Sequence, residues 1–466
     1  MFLRMLPRKA TMLVAVGSLI LAGMGSLSPT VTQATPILSP LMSMVGPVIA
    51  QPPTQPPPTA AFCLAQFGIA CYGPSDMRNE YDLNPLYAQH VQGAGETIAI
   101  FDSYGSPTIQ SDLHTFDVGY GLPDPPSFQV ISPEGTPQLN YNHVGSPADF
   151  HNKNIGTEIG WAYETTLDVD WAHAIAPAAN ILLVTTPVQE TQGVQGLQNI
   201  LTAEQYVLTN HLANVFSQSF ATTEQAFKGN SDQQLLQRFH QTYQQAAAQG
   251  VSVFAASGDG GVANTDLQGR LFPFPTVQYP ASDPNVTAVG GTEINPPPAV
   301  ITSYSAEQAW NDGFGAGGGG YSVVFARPGY QNGVVSNAMR GLPDIAYNAA
   351  VISAVTIYES FDPTVSPGWT PIAGTSAATP QWAALAALAD NYAANHGQAP
   401  VGFLNPTLYQ IGTSASYSAD FHDITVGNNS FDGITGFSAA PGWDAASGWG
   451  TPDAAHLIPD LVAVGG

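Results

Sequence analysis

Two periodicities alternate along most of the chain. Short runs rich in consecutive apolar and β-branched residues predict buried strands. Longer runs with apolar residues three or four apart predict helices. ETIAIFDSY (96–104) predicts a strand and SDLHTFDVGYG (111–121) a short helix. IGTEIGWAYETTLDVDWAHAIAP (155–177) predicts a helix, followed by the strand NILLVTT (180–186). GLQNILTAEQYVLTNH (196–211) is helical and ANVFSQSF (213–220) extended. SDQQLLQRFHQTYQQAAAQG (231–250) is a helix closed by Gly250, leading into the strand VSVFAASGD (251–259). This βαβα rhythm predicts an α/β fold: a doubly wound, mostly parallel sheet flanked by helices on both faces. The second half is richer in Gly and Pro, with GAGGGGYSVVF (315–325) and NPPPAV (295–300) as loops. In open α/β sheets chemistry gathers at the carboxyl ends of strands. SQS, SGDGG and AGTSAATP all lie at such ends or just past them.

In PIAGTSAATPQWAALAALAD (371–390), one hydroxyl, Ser376, sits between a glycine turn and an Ala/Leu-rich helix expected to stop near Gly397. Thr375 or Ser376 can cap the first helical turn. Pro380 reads as falling where intrahelical donors are unpaired anyway. A serine at such a strand-to-helix turn is also how hydrolases present a nucleophile. A nucleophile needs a base. The chain has ten histidines, but its one His-Gly pair, His396–Gly397, follows the serine, and no HExxH occurs. A Ser-His-Asp triad could be assembled from scattered residues; nothing marks one. Carboxylates are marked. Glu164 and Asp168 are four apart, hence on one helix face. That face is either solvated or, given Trp161, Leu167, Val169, Trp171, Ile175 and Pro177 nearby, apolar. In an apolar setting the pair would have raised pKa values and could share one proton. Asp259, directly after an apolar strand, reads as an Asx turn or as a third member of the set.

Composition narrows the partners. Of 466 residues 44% are hydrophobic and only 9% charged, with 34 acids against 10 bases. Three of the bases, Arg4, Arg8 and Lys9, precede an apolar run. Nucleic acid and anionic membranes are thereby excluded as partners. A chain with so few cations has little positive self-repulsion once its carboxylates protonate, which suits acid; a merely acidic or halophile-like secreted protein is the alternative. Residues 1–34 read as a secretory signal, with small residues around Gly25, Ala34 or Ala50 as possible cleavage points. Residues 35–60 read as a Pro-rich, disordered or extended linker, and 61–466 as a single large domain. A secreted, extracellular protein follows, with no stable membrane association after cleavage. Cys63 and Cys71, the only cysteines, predict a disulfide closing a small loop rather than a metal site.

ETTLD, ASGDGG and GTSAATP, in that order, resemble the three signatures of the sedolisin, or serine-carboxyl peptidase, family. The resemblance extends over roughly 61–460 through Tyr279–Thr292, Gly317–Gln331, Arg340–Tyr347 and the tail from FHDITVGNN. It implies a subtilisin-like fold and endopeptidase or tripeptidyl-peptidase activity at acid pH on protein or peptide substrates, by a monomer. It makes Ser376 the nucleophile, Glu164 its general base and then acid, Asp168 the partner that orients Glu164 and shares its proton, and Asp259 the oxyanion donor. It assigns one structural Ca2+ to the carboxylates of Asp423 and Asp444 and the carbonyls of Ile424, Ala440 and Gly442, an oxygen-only set that suits this ion. It places Ser217, Gln218, Ser219 and Phe220 along the substrate cleft through their backbone. Three positions depart from the pattern: Ala373 and Ala440 replace small residues where a backbone carbonyl tolerates the change, and Asn348 replaces an aspartate. A long folded propeptide, common in the family, is not expected between the leader and the body. Two other readings stay open: a neutral Ser-His-Asp hydrolase on the same sheet, and a calcium-stabilised extracellular binding protein without catalysis.

Overall fold

In the computed structural model, residues 43–44, 48–50, 54–137, 156–188 and 194–465 are described. The predicted leader, 1–34, lies outside them. The main sheet is built from β1 (Thr97–Ser103), β2 (Phe128–Ile131), β3 (Asn180–Thr186), β4 (Val215–Gln218), β5 (Ser252–Ala256), β6 (Thr287–Ile294), β7 (Glu307–Ala309) and β8 (Ile345–Asn348). Its order is β7-β6-β5-β4-β1-β3-β2, with β8 also paired to β6. Every pairing is parallel except that of β7 with β6. This is the mostly parallel, doubly wound arrangement read from the sequence.

Side-chain alternation along the strands divides the interior in two. Ile98 and Ile100 of β1, Ile181 and Leu183 of β3, and Phe254 of β5 belong to one core. Their neighbours Ala99, Phe101, Leu182, Val184 and Val253 belong to the other. The first core also holds the helices α2 (Gly156–Ile175) and α5 (Thr375–Asn395); the second holds α3 (Val194–Thr209) and α4 (Asn230–Ala248). Helices therefore cover both faces.

α2 has no solvent face: every residue from Ile159 to Ile175 is buried. It packs on α5 and β1 on one side, and on α1 (Ile109–Tyr120) and the strand β9 (Val355–Glu359) on another. The solvated-face alternative for Glu164 and Asp168 is thus overturned. α5 is buried from Thr375 to Asn391, and its AALAALA run lets it lie close against the sheet.

β9 pairs with β10 (Gly368–Ala373), which leads into α5. The predicted linker is not free along its length. Ser43–Met44 and Ile49–Ala50 add antiparallel to β10, and a helix begins at Ala60, capped by Thr59. The predicted disulfide is present: Cys63 and Cys71 are bonded, with their Cα atoms 5.8 Å apart. No helix among the described residues is long and apolar enough to cross a membrane.

Candidate active site

Gly374 makes the turn from β10 into α5 with φ +129°, a conformation that favours glycine. It is also the N-cap, and no side chain caps the helix. The capping reading of Thr375 and Ser376 therefore fails. Thr375 turns its hydroxyl to Asp259, and Ser376 is the second helical residue, fully buried. Pro380 is also placed differently from the sequence reading. It lies inside α5, four residues after Ser376, where its missing N–H removes the helical bond to the Ser376 carbonyl.

The Ser376 hydroxyl lies 3.4 Å from the Ser219 carbonyl oxygen. It also stands close enough to Glu164 to favour that carboxyl's ionised form, although neither Glu164 oxygen makes a hydrogen bond of ordinary geometry among the described residues. Burial holds Glu164 well above the usual carboxylate range, and Asp168 is the next cause, with smaller contributions from Asp102 and Asp259. Asp168 is raised by burial and then by Asp102, while the Ser219 hydroxyl, donating to its Oδ1 at 2.7 Å, pulls the other way. The two acids, one turn apart on a helix without a wet face, cannot both ionise at ordinary cost; they titrate as a pair.

Asp259 enters from the loop after β5. Its Oδ1 accepts the Thr375 N–H and the Thr375 hydroxyl, each at 2.8 Å. Its Oδ2 is shielded and without a partner among the described residues, although the residue as a whole keeps some exposed surface. Burial pushes this carboxyl up to about 7, against the two Thr375 bonds, which lower it. The side chain thus bonds across 116 residues rather than closing an Asx turn of its own loop. The glycine run packs over this loop: Gly318 N–H donates to the Gly258 carbonyl and the Ser257 hydroxyl donates to the Gly318 carbonyl, each at 2.7 Å.

The structure therefore brings Ser376, Glu164, Asp168 and Asp259 together. It adds one acid that the motif reading passed over. Asp102, in β1, is fully buried, pushed up to about 7 by burial and coupled to the pair. Its signal was present: a carboxylate ending the apolar strand TIAIFDS at the sheet's carboxyl edge. The cleft assignment of 217–220 needs correction. Ser217 and Gln218 spend their backbone inside β4, paired to β1 and β5, and only Ser219 and Phe220 lie beyond the strand. Asn348 forms a local clasp with Ser353, donating to its carbonyl at 2.7 Å. Four of the eight described histidines pair with carboxylates elsewhere: His173 with Asp117, His240 with Asp283, His114 with Asp124 and His456 with Asp453. His143 and His151 lie outside the described residues.

At the predicted metal site, Asp423 accepts the Gly442 N–H on both oxygens at 3.1 Å, and the Tyr417 hydroxyl at 2.9 Å. Asp444 accepts the Ala440 N–H at 2.8 Å on one oxygen and the Ala446 and Ser447 amides on the other. Ile424 packs beside Ala446. Both carboxylates thus converge on the 440–442 turn. A donor set of carboxylate and carbonyl oxygens, with no nitrogen or sulfur ligand, fits a hard cation.

Comparison with known proteins bears on the family and the fold. A family profile described as the subtilase family matches residues 142–410. Kumamolisin of Bacillus sp. (strain MN-32) is 30% identical over 368 residues, which is 77% of this chain and 57% of that protein. Tripeptidyl-peptidase 1 of Macaca fascicularis is 31% identical over 243 residues, 49% of this chain and 40% of that protein. The solved structure of Pseudomonas sedolisin, a serine-carboxyl proteinase complexed with two molecules of pseudo-iodotyrostatin, superposes with a TM-score of 0.69 at 28% identity. That superposition covers 85% of this chain and all of the sedolisin chain. The chain belongs to the subtilase family, in its sedolisin or serine-carboxyl peptidase branch. It spans about half the length of the curated relatives it matches.

Proposed function

We propose that this protein is a secreted, monomeric endopeptidase that cuts protein or peptide substrates in acid through an acyl-enzyme on Ser376. The observation that carries the reading is a buried hydroxyl beside Glu164, whose partner acid Asp168 lies one helical turn on, with a third acid held at the same helix start. The Ser376 oxygen attacks the scissile carbonyl carbon while Glu164 takes its proton. The carbonyl oxygen becomes an oxyanion, which the protonated Asp259 meets with a hydrogen bond; one such donor contributes about 3–4 kcal/mol. Glu164 passes its proton to the leaving amine, the C–N bond breaks, and an ester remains on Ser376. Water, deprotonated by Glu164, attacks the ester, and the Ser376 oxygen leaves with that proton. Asp168 orients Glu164 and holds the pair's retained proton. Asp102 borders the pair and, itself pushed up to about 7, stays protonated in acid; only as pH rises through that value does its charge oppose ionisation of the pair.

The alkaline limit follows from these roles. An ionised Asp259 repels the oxyanion it should stabilise, so activity falls as pH rises through about 7. A histidine base would give the opposite slope over pH 6–7. Calcium at Asp423, Asp444 and the carbonyls of Ile424, Ala440 and Gly442 would tie the C-terminal loops together by charge, away from the chemical steps. The test is digestion of a denatured protein at pH 3–4, together with a pH–rate profile. Ser376→Ala is expected to abolish turnover and Glu164→Gln to reduce it at least about 100-fold. Unchanged digestion by Ser376→Ala, or a rate climbing through pH 6–7, would overturn the reading.

A further inference from the structure

The geometry points to Thr375 as a positioning residue that decides which oxygen of Asp259 carries the proton. This rests on the reading of Asp259 as the oxyanion donor and goes one step further. The Thr375 hydroxyl accepts the Gly258 N–H at 3.2 Å and stands 2.8 Å from Asp259 Oδ1. The Thr375 N–H donates to the same oxygen, also at 2.8 Å. With the amide fixed on it and the hydroxyl proton directed to it, Oδ1 is used up as an acceptor. The acid's own proton is left on Oδ2, the oxygen with no partner among the described residues. One residue, immediately before the nucleophile, therefore holds the acid in place and selects the oxygen that presents its proton.

The same two bonds favour the ionised acid and so oppose the burial that keeps it protonated. The other charged groups that act on or from Asp259 are Asp312, held by the Phe314, Gly315 and Val351 amides, and Glu164 on α2. Neither touches the Thr375 hydroxyl, so a change there alters that group's two hydrogen bonds, to Asp259 Oδ1 and from the Gly258 N–H, and no charge.

The side chain divides cleanly into two functions. Its methyl lies against Gly291, where an added Cβ would sit 3.4 Å from it. Valine keeps the methyl and loses the hydroxyl; serine keeps the hydroxyl and loses the methyl. A packing role predicts that serine is the worse replacement, and the positioning role predicts valine. For Thr375→Val we expect kcat at the optimum to fall about 10-fold with KM within about twofold, because the proton now samples both oxygens. We also expect the alkaline limb of the pH–kcat profile to move up by about one pH unit, because a donor to the carboxylate has been lost. A lower rate with a wider alkaline range is a combination that general loosening does not produce. Thr375→Ser should keep the parental alkaline limb. Asp259→Ala is measured alongside. Parental kcat in Asp259→Ala overturns the oxyanion reading and this inference together. An inactive Asp259→Ala with a parental alkaline limb in Thr375→Val, or a limb displaced in Thr375→Ser as far as in Thr375→Val, overturns this inference alone.

Discussion

Ser219 shows how much one hydroxyl can set. Its carbonyl neighbours the Ser376 hydroxyl and its side chain donates to Asp168 Oδ1, so one residue touches both the proposed nucleophile and the acid pair. Hydrogen bonds to ionised groups contribute about 1.5–3 kcal/mol. Ser219→Ala leaves Asp168 buried with one donor fewer, and the pair holds its proton more tightly. The acidic limb of the pH–rate profile is expected to move up by about one pH unit, which rate measurements between pH 3 and 6 would check. At this scale the sequence spoke unevenly. Glu164 and Asp168 stood out by their spacing in an apolar stretch, and Ser376 by its turn, but spacing and turn left the solvated-face and capping alternatives open, and only the family resemblance gave them roles. The parts played by Ser219 and Thr375 were hidden, because each depends on a partner more than 50 residues away, and no local pattern encodes such a distance.

At the scale of elements, the Gly-rich loop 315–320 explains its own composition. A Cβ on Gly318 would run into the Ser257 carbonyl, and one on Gly315 into the Trp310 ring. The loop lies backbone to backbone over Ser257–Asp259, and only glycine permits that approach. Gly318→Ala should therefore displace the segment that presents Asp259. Overpacking of this kind costs roughly 1–3 kcal/mol. We expect Tm to fall by a few degrees and kcat to fall more than 10-fold, and thermal melting beside turnover would separate the two effects. The alternation of strands and helices was legible because the sheet is parallel and its periods are clean. Less legible were the helix cap, the position of Pro380 and the pairing of residues 43–50 with β10. These are tertiary outcomes. A capping hydroxyl has other suitors once folded, and a two-residue strand is extended only because an edge is there to receive it.

For the whole molecule, the acid excess has two parts. Part of it lies at the surface. Part lies inside: burial pushes Glu80 and Glu359 up to about 8 and Asp390 to about 7. Glu80 also feels Glu307, which is held among Tyr81, Thr292 and Thr451. A carboxyl whose folded pKa lies above its unfolded value contributes stability that is complete below about pH 4 and is lost as pH rises through the folded value. The expected outcome is a Tm that declines between about pH 4 and 8, the reverse of ordinary acid denaturation, and melting curves across that range would decide it. Asp266, lowered to about 2 by Arg270, has the opposite sign, but its partner Arg270 is largely exposed and the pair is one carboxyl against the several raised ones. Repeating the melts with a chelator tests the cation proposed for the 440–442 turn: the expected result is a lower Tm without the ion. From composition one could foresee tolerance of acid, but the reasoning from scarce cations concerned only repulsion at the surface. That the interior itself prefers protons depended on which acids the fold encloses.

The burial of α2 on every side has a consequence for how this protein can change. In many enzymes the reacting groups sit on loops that can be exchanged while the scaffold stays put. Here the two acids grow from the backbone of the element around which the rest is assembled. A substitution that alters their setting is at once a substitution in the middle of the fold, and new specificities must come from the rim, because the centre has no room to drift.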